Sequence, residues 1–136
     1  MIIRYVNEND FDVMKKLIGQ LSIVSDYSKE QFKNFLDKNN KKIFIFEMNN
    51  NIIGTGSLIF ESKISHDFKN VAHLEDIIVD KNFRGKGYGK YIINYLINYA
   101  KNNNCYKVIL NTDENNLKFY KKCGLKKTNI EMGIYF

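Results

Sequence analysis

The sequence predicts a single α/β (α+β) domain built on a mixed sheet. Three observations carry this expectation. The chain has 136 residues, one domain's length, and a chain of that size buries roughly two-thirds of its unfolded surface, enough for a core without disulfide or metal staples. β-rich runs and helix-periodic segments follow one another in the order βααβββαβαβ. Within that order a strand, a glycine-rich loop, a helix and a further strand make a βαβ unit, so at least one strand pair is parallel.

Each element has its own signature. Residues 2–6 form a short apolar run that reads as a strand. Asn9 or Asp10 is placed to cap a helix from residue 11 to about 21, whose apolar positions Phe11, Met14, Leu17, Ile18 and Leu21 recur every three or four residues. Ser28 opens a second helix, and Gln31 stands where a capping box requires an acceptor. Residues 43–48 and 52–60 are β-rich and joined by Asn49-Asn50-Asn51, a hairpin composition. A further strand runs over residues 72–79. After the loop Arg84-Gly85-Lys86-Gly87-Tyr88-Gly89 comes a long helix with Lys90, Asn94, Asn98 and Lys101 on its polar stripe. Residues 107–110 read as a buried strand and residues 115–122 as a short helix stopped by Gly124. Residues 125–136 are expected to form a last strand or hairpin.

Composition excludes several classes. With 44% hydrophobic and 14% aromatic residues, the chain carries more apolar side chain than a solvated coil. Its longest apolar runs, such as residues 77–79 and 91–93, fall far short of the ~20 residues that span a bilayer. Residues 1–30 carry no apolar signal core with a cleavage site, so a cytoplasmic location is expected. Cys105 and Cys123 do not make a disulfide framework, and His66 and His73 have no cysteine nearby, so no metal site is expected. Zero Pro, zero Trp, 19 Asn and 19 Lys bespeak AT-rich codons, so most Asn and Lys are not read as functional. The net charge of +6 attracts anions. Nucleic acid is disfavoured among them, because the lysines are dispersed and no helix concentrates arginine.

The glycine loop is the strongest local signal. Three glycines between a strand and a helix let successive N–H groups point outward, and the helix adds its positive dipole end. Arg84, Lys86 and Lys90 add full charges. This is a nest for a pyrophosphate. The spacing is not that of a P-loop, and the acid that a dinucleotide fold places after its second strand is absent.

Arg-x-x-Gly-x-Gly after a strand ending Ile77-Ile78-Val79-Asp80 resembles the acetyl-CoA loop of the GNAT superfamily of N-acetyltransferases. A second block, Asn116-Leu117-Lys118-Phe119-Tyr120-Lys121-Lys122-Cys123-Gly124-Leu125, resembles that superfamily's later cofactor motif. Together with Gly19-Gln20-Leu21-Ser22, His73-Leu74-Glu75-Asp76 and Cys105-Tyr106-Lys107, these blocks look like the glucosamine-6-phosphate N-acetyltransferase family over nearly the whole chain. The resemblance implies the acyl-CoA N-acyltransferase fold: a mostly antiparallel sheet with a central, splayed parallel pair and helices on both faces. It implies acetyl-CoA as cosubstrate, no metal, an aminosugar phosphate as acceptor and a homodimer whose C-terminal strands enter each other's sites.

The chemistry is acyl transfer from a thioester to an amine, and direct attack in a ternary complex needs no protein nucleophile. The resemblance assigns the coenzyme to the backbone of Ile77, Ile78 and Val79, to the loop Arg84, Gly85, Lys86, Gly87, Tyr88, Gly89 and Lys90, and to Asn116. Tyr120 is the expected general acid, since a phenol with a pKa of about 10 is protonated at neutral pH and can donate to the departing thiolate. Glu75 and Asp76 are expected on opposite faces of their strand, one reaching the amino sugar and the other orienting its neighbour. Ser22, Lys63 and His66 are expected substrate contacts. Asn111 and Tyr135 stand where the resemblance implies an acid and an arginine, and they bring no charge to the ammonium or the sugar phosphate. Those two positions keep open another small amine, or a protein N-terminus, as the acceptor. A nucleic-acid module and a coenzyme-binding regulator are the competing readings.

Overall fold

Five strands lie side by side in the order β1-β2-β3-β4-β5. The computed structural model describes residues 1–136. The chain runs β1 (Ile2–Tyr5), α1 (Phe11–Ile18), α2 (Lys29–Lys38), β2 (Lys41–Met48), β3 (Asn51–Ser62), β4 (Asn70–Val79), α3 (Tyr88–Asn102), β5 (Cys105–Ile109) and α4 (Leu117–Lys122). β1 to β4 pair antiparallel in succession, and β4 pairs parallel with β5 through α3, as the βαβ unit requires.

Both faces of the sheet are covered, which explains the unbroken apolar run of β2. Phe44 and Phe46 point to one face, where they meet Leu58, Ala72 and Leu74 under Ile92, Ile93 and Leu96 of α3. Ile43 and Ile45 point to the other, against Phe11, Met14 and Leu17 of α1 and Phe32 of α2. Leu17, Ile45, Phe46, Leu58, Ile92, Ile93 and Leu96 are fully buried. Each such side chain contributes roughly 1.5–3 kcal/mol relative to exposure. Ser28 caps α2 as expected, accepting from Gln31 N–H while the Gln31 side chain accepts from Ser28 N–H.

The structure corrects four boundaries. α1 stops at Ile18, and Leu21 lies beyond it, half exposed. Neither Asn9 nor Asp10 caps α1 through its side chain; Asn7 caps a preceding 3₁₀ turn instead. The Asp10 carboxylate accepts from Asn7 N–H at 2.8 Å and from Arg4, because a buried carboxylate needs a cation more than the helix needs its oxygen. α4 begins at Leu117, after a 3₁₀ turn over Glu114–Asn116. The expected last strand is absent: residues 125–136 carry no regular structure. Ile130, Met132, Ile134 and Phe136 alternate as a strand would, yet all are at least 77% exposed. A strand needs a neighbouring edge and an apolar face to cover, and within one chain this segment reaches neither.

Candidate active site

The site begins where β4 leaves β5. The two strands are in register from Asn70↔Cys105 to His73↔Ile109. β5 ends there, while β4 continues to Val79 with no strand on that side. Leu74 to Val79 therefore offer a row of backbone groups to whatever enters the gap, including Ile77, Ile78 and Val79. On its other edge β4 stays held by β3 up to Gly54↔Val79.

A bulge sits in the middle of this stretch. Between the pairs Ser57↔Glu75 and Thr55↔Ile78, β4 carries one residue more than β3. Asp76 adopts φ +50, a left-handed conformation that costs a non-glycine residue about 1–3 kcal/mol and that gathers at functional positions. The extra residue changes the parity of the strand. Ala72 and Leu74 face α3; after the bulge, Ile77 and Val79 do, and Ile78 packs against α1 and α2. The expectation that Glu75 and Asp76 point to opposite faces is thereby overturned. Glu75 lies opposite Ser57, in the row of Ile43, and Ser57 Oγ donates to its carbonyl at 3.0 Å. The Asp76 carboxylate reaches Lys41, whose ammonium stands 2.9 Å away on the same side as Ile43 and Ile45. Both acids thus open towards α1 and α2.

Beyond Val79 the chain turns sharply. Asp80 is almost completely buried and accepts from Asn82 N–H at 2.9 Å, and Lys16 of α1 is 3.2 Å from its other oxygen. The Asn82 N–H holds the Asp80 carboxyl below the usual range, against the opposing effect of burial, with Lys16 and Gln20 adding to the shift. Gly85 and Gly87 take φ +77 and +85, and a Cβ at either would meet nothing in this structure. The glycines serve the backbone turn and leave its outer side open. α3 starts at Tyr88, so its N-terminal amides face the loop, with Lys86 and Lys90 exposed beside them. Arg84 behaves differently from a phosphate-facing charge. Its Nε donates to Val79 O at 3.0 Å and its Nη2 to Gln20 Oε1 at 3.3 Å. Tyr88 packs edge-on against Phe83, and its hydroxyl lies 3.8 Å from Met48 Sδ. Gly89 lets Phe119 of α4 close on the start of α3: a Cβ there would come within 3.1 Å of the ring.

A cavity of about 950 Å³ lies along the free side of β5, walled by Val108, Leu110, Asn111, Leu117 and Tyr120 and by the start of the C-terminal tail. Tyr120 is half-buried; burial pushes its phenol up and the neighbouring Cys123 thiol adds to this. Burial also raises the Cys123 thiol, against a smaller effect of Lys90, and raises Cys105. Neither sulfur is held as a thiolate, so neither is prepared as a nucleophile. No three His, Cys, Asp or Glu side chains gather as a metal-binding group.

The structure brings the expected residues together unevenly. Tyr120 and Asn111 share the cavity, Asn116 sits exposed at the head of α4, and the glycine loop adjoins the end of β4. Lys63 and His66 lie elsewhere within the chain. They belong to the β3–β4 turn, beyond Ser62↔Asn70. That is five residues, roughly 17 Å of strand, from Glu75. Lys63 pairs with Glu61, and His66 stacks on Tyr106 with centroids 4.0 Å apart. Ser22 is exposed in the α1–α2 connection, and Tyr135 is wholly exposed in the tail. Sequence reasoning passed over Lys41, Asp80, Lys16 and Gln20 as site builders. Asp80 alone had a readable signal: Asp two residues before Asn at a strand end invites a side-chain-to-backbone turn.

Comparison with known proteins agrees with this geometry. Residues 11–125 match the model of the acetyltransferase (GNAT) family. The chain is 34% identical to glucosamine 6-phosphate N-acetyltransferase of Arabidopsis thaliana over 89% of its own length and 86% of the relative's. It is 31% identical to the enzyme of that name from Trypanosoma brucei brucei, over 96% and 92%. The crystal structure of the Arabidopsis thaliana enzyme superposes with a TM-score of 0.90 at 32% identity, covering 99% of this chain and 97% of that one. A parallel pair that parts over a glycine loop, and these relatives, lead to one conclusion: the chain belongs to the GNAT acetyltransferase family, alongside the glucosamine 6-phosphate N-acetyltransferases.

Proposed function

We propose that this chain transfers the acetyl group of acetyl-CoA to the amine of glucosamine 6-phosphate, giving N-acetylglucosamine 6-phosphate for UDP-N-acetylglucosamine synthesis. The observation that carries this reading is the unpaired edge of β4. It runs from the two carboxylates at Glu75 and Asp76 straight to the amides of the glycine loop. The diphosphate is taken by the amides from Gly85 to Gly89 and the N-terminus of α3, with Lys86 and Lys90. The pantetheine arm lies along Ile77, Ile78 and Val79, flanked by Asn116. A β4 amide donates to the thioester oxygen as charge develops on it.

In the reaction the amine nitrogen attacks the thioester carbonyl carbon and the C–S bond breaks. The electron pair leaves on sulfur, which takes the phenolic proton of Tyr120. The ammonium first loses one proton to Glu75, directly or through water, and Glu75 returns it to solvent. The second proton, shed by the nitrogen as the amide forms, passes through water to the Tyr120 phenolate and restores it. Asp76, already paired with Lys41, is the less available base and serves to orient the acceptor. Asn111 accepts no proton and only hydrogen-bonds. Burial of Tyr120 supports its role, because it keeps the phenol protonated at neutral pH.

The enzyme works as a homodimer in the cytoplasm. The alternating, exposed tail at residues 130–136 supports strand exchange between two copies, and Tyr135 then meets the sugar phosphate in the other copy's site. Lys63 and His66, remote from Glu75 within one chain, serve the acceptor only if that assembly brings phosphate to their end of the sheet. No helix is long and apolar enough to cross a membrane.

Steady-state rates with glucosamine 6-phosphate, polyamines and peptides test the substrate. Saturable acetylation of the sugar phosphate is expected, and its absence ends the reading. The uncharged Asn111 and Tyr135 favour one second reading, an acetyltransferase for another small amine or a protein N-terminus. Turnover only with those acceptors would establish it.

A further inference from the structure

The residues between β4 and the glycine loop are tied down almost one by one. Val79 O accepts from Arg84 Nε at 3.0 Å. Asp80 Oδ1 accepts from Asn82 N–H at 2.9 Å, and Asp80 O from Phe83 N–H at 2.8 Å. Lys81 N–H donates to Gln20 Oε1 at 2.9 Å, and Arg84 Nη2 donates to the same oxygen at 3.3 Å. The Gln20 amide then donates to Asp80 Oδ2 at 3.4 Å, and Lys16 neutralises that carboxylate from 3.2 Å. Lys16 lies in the last turn of α1, and Gln20 directly follows Gly19, the residue that caps the helix. An exposed connection normally keeps its freedom. This one is held from across the sequence by one amide side chain with three contacts and by Lys16, which pairs with the buried carboxylate of Asp80.

We propose that Gln20 is a positioning residue for the coenzyme. With Asp80 it clamps α1 to the turn that launches the glycine loop, so the diphosphate-binding amides are set before the coenzyme arrives. Arg84 is part of this clamp. Its two hydrogen bonds point back into the protein, and they order the loop from behind. A preorganised loop spends less binding energy on its own ordering. The proposal rests on the coenzyme site described above.

The test is calorimetric titration of acetyl-CoA into the wild-type protein, Gln20→Ala, and the double variant Gln20→Glu/Asp80→Asn, with steady-state kinetics on each. Gln20→Ala loses the bonds to Lys81, Arg84 and Asp80, and the expected result is a Kd and a KM for acetyl-CoA raised about tenfold. Under saturating coenzyme, kcat falls less than about twofold, since Gln20 touches no reacting atom. The double variant exchanges amide and carboxylate between the two positions. The introduced carboxylate accepts from Lys81, from Arg84 and from the introduced amide, and coenzyme affinity returns to within about threefold of wild type. Unchanged affinity in Gln20→Ala overturns the proposal. So does a parallel fall of kcat and affinity that the double variant does not repair, because that describes general loss of structure. Failure of the wild-type protein to bind acetyl-CoA is a separate outcome that removes the coenzyme site itself, and the clamp with it.

Discussion

At the scale of single residues, two side chains separate chemistry from scaffolding. Tyr120 is held protonated by its surroundings and touches no cation. Tyr120→Phe keeps the ring and removes the acid, so kcat is expected to fall about 10- to 100-fold with acetyl-CoA affinity unchanged, a split read by steady-state kinetics and calorimetry. A rate within about twofold of wild type would mean that the thiolate leaves unassisted. Asp80 makes the opposite case, a charge kept for structure. Its carboxyl lies below its ordinary value because Asn82 N–H and Lys16 favour the anion over the penalty of burial. A depressed carboxyl stabilises the fold fully above its unfolded pKa, about 4, and this contribution fades as pH falls through the folded value. The melting temperatures of wild type and Asp80→Asn are therefore expected to differ by a constant amount from about pH 8 to 5 and to converge below about pH 4. A gap that does not narrow in acid would assign the effect to packing.

Elements show what was legible in the letters and what was not. Ser28 with Gln31, the β-rich run of β2, and the strand–loop–helix around Gly85 and Gly87 all express local rules, and the structure follows them. The bulge at Asp76 had no signal. Glu-Asp reads as ordinary strand alternation, and only the pairing with β3 reveals an additional residue. Gln20 was hidden for the same reason, because its three partners lie about 60 positions away in the chain. Lys41 likewise reads as a strand end and becomes a partner of Asp76 only across the sheet. Gly54 is a further case that only packing explains. A Cβ there would lie 2.2 Å from Ile78 O and 3.0 Å from Ile92 Cδ1. β3 and the end of β4 approach so closely that no side chain fits between them. Gly54→Ala is expected to destabilise the protein by about 1–3 kcal/mol in urea denaturation, because overpacking moves the backbone of β4. It should weaken acetyl-CoA binding as well, since the displaced carbonyl adjoins the coenzyme path. A variant as stable and as tight as wild type would show that the two strands can part at no cost.

For the whole molecule, the proposed dimer sets the exposed tail of one copy against the site of the other. An apolar alternation without a partner and a strand edge beside a long cavity are both liabilities in solution. Removing residues 129–136 is expected to convert a dimer to a monomer in light scattering and to abolish turnover with the sugar phosphate. Acetyl-CoA binding should survive, because the loop and β4 belong to one chain. A truncated protein that remains dimeric would refute tail exchange. The net charge of +6 fits two anionic small molecules in one site, and here it needs no nucleic acid to explain it.

The additional residue at Asp76 turns the length of β4 into a constraint stricter than its spelling. Ile77, Ile78 and Val79 could trade places with other aliphatic residues and keep their sides. Deleting Asp76 would leave Leu74, Ile77 and Val79 in plain alternation on the α3 side, so the downstream faces would survive, while the bulge and the bend it gives the strand would be lost. The contact of Asp76 with Lys41 would go with it. Related chains that keep the function should therefore tolerate substitution in this interval far more readily than insertion or loss.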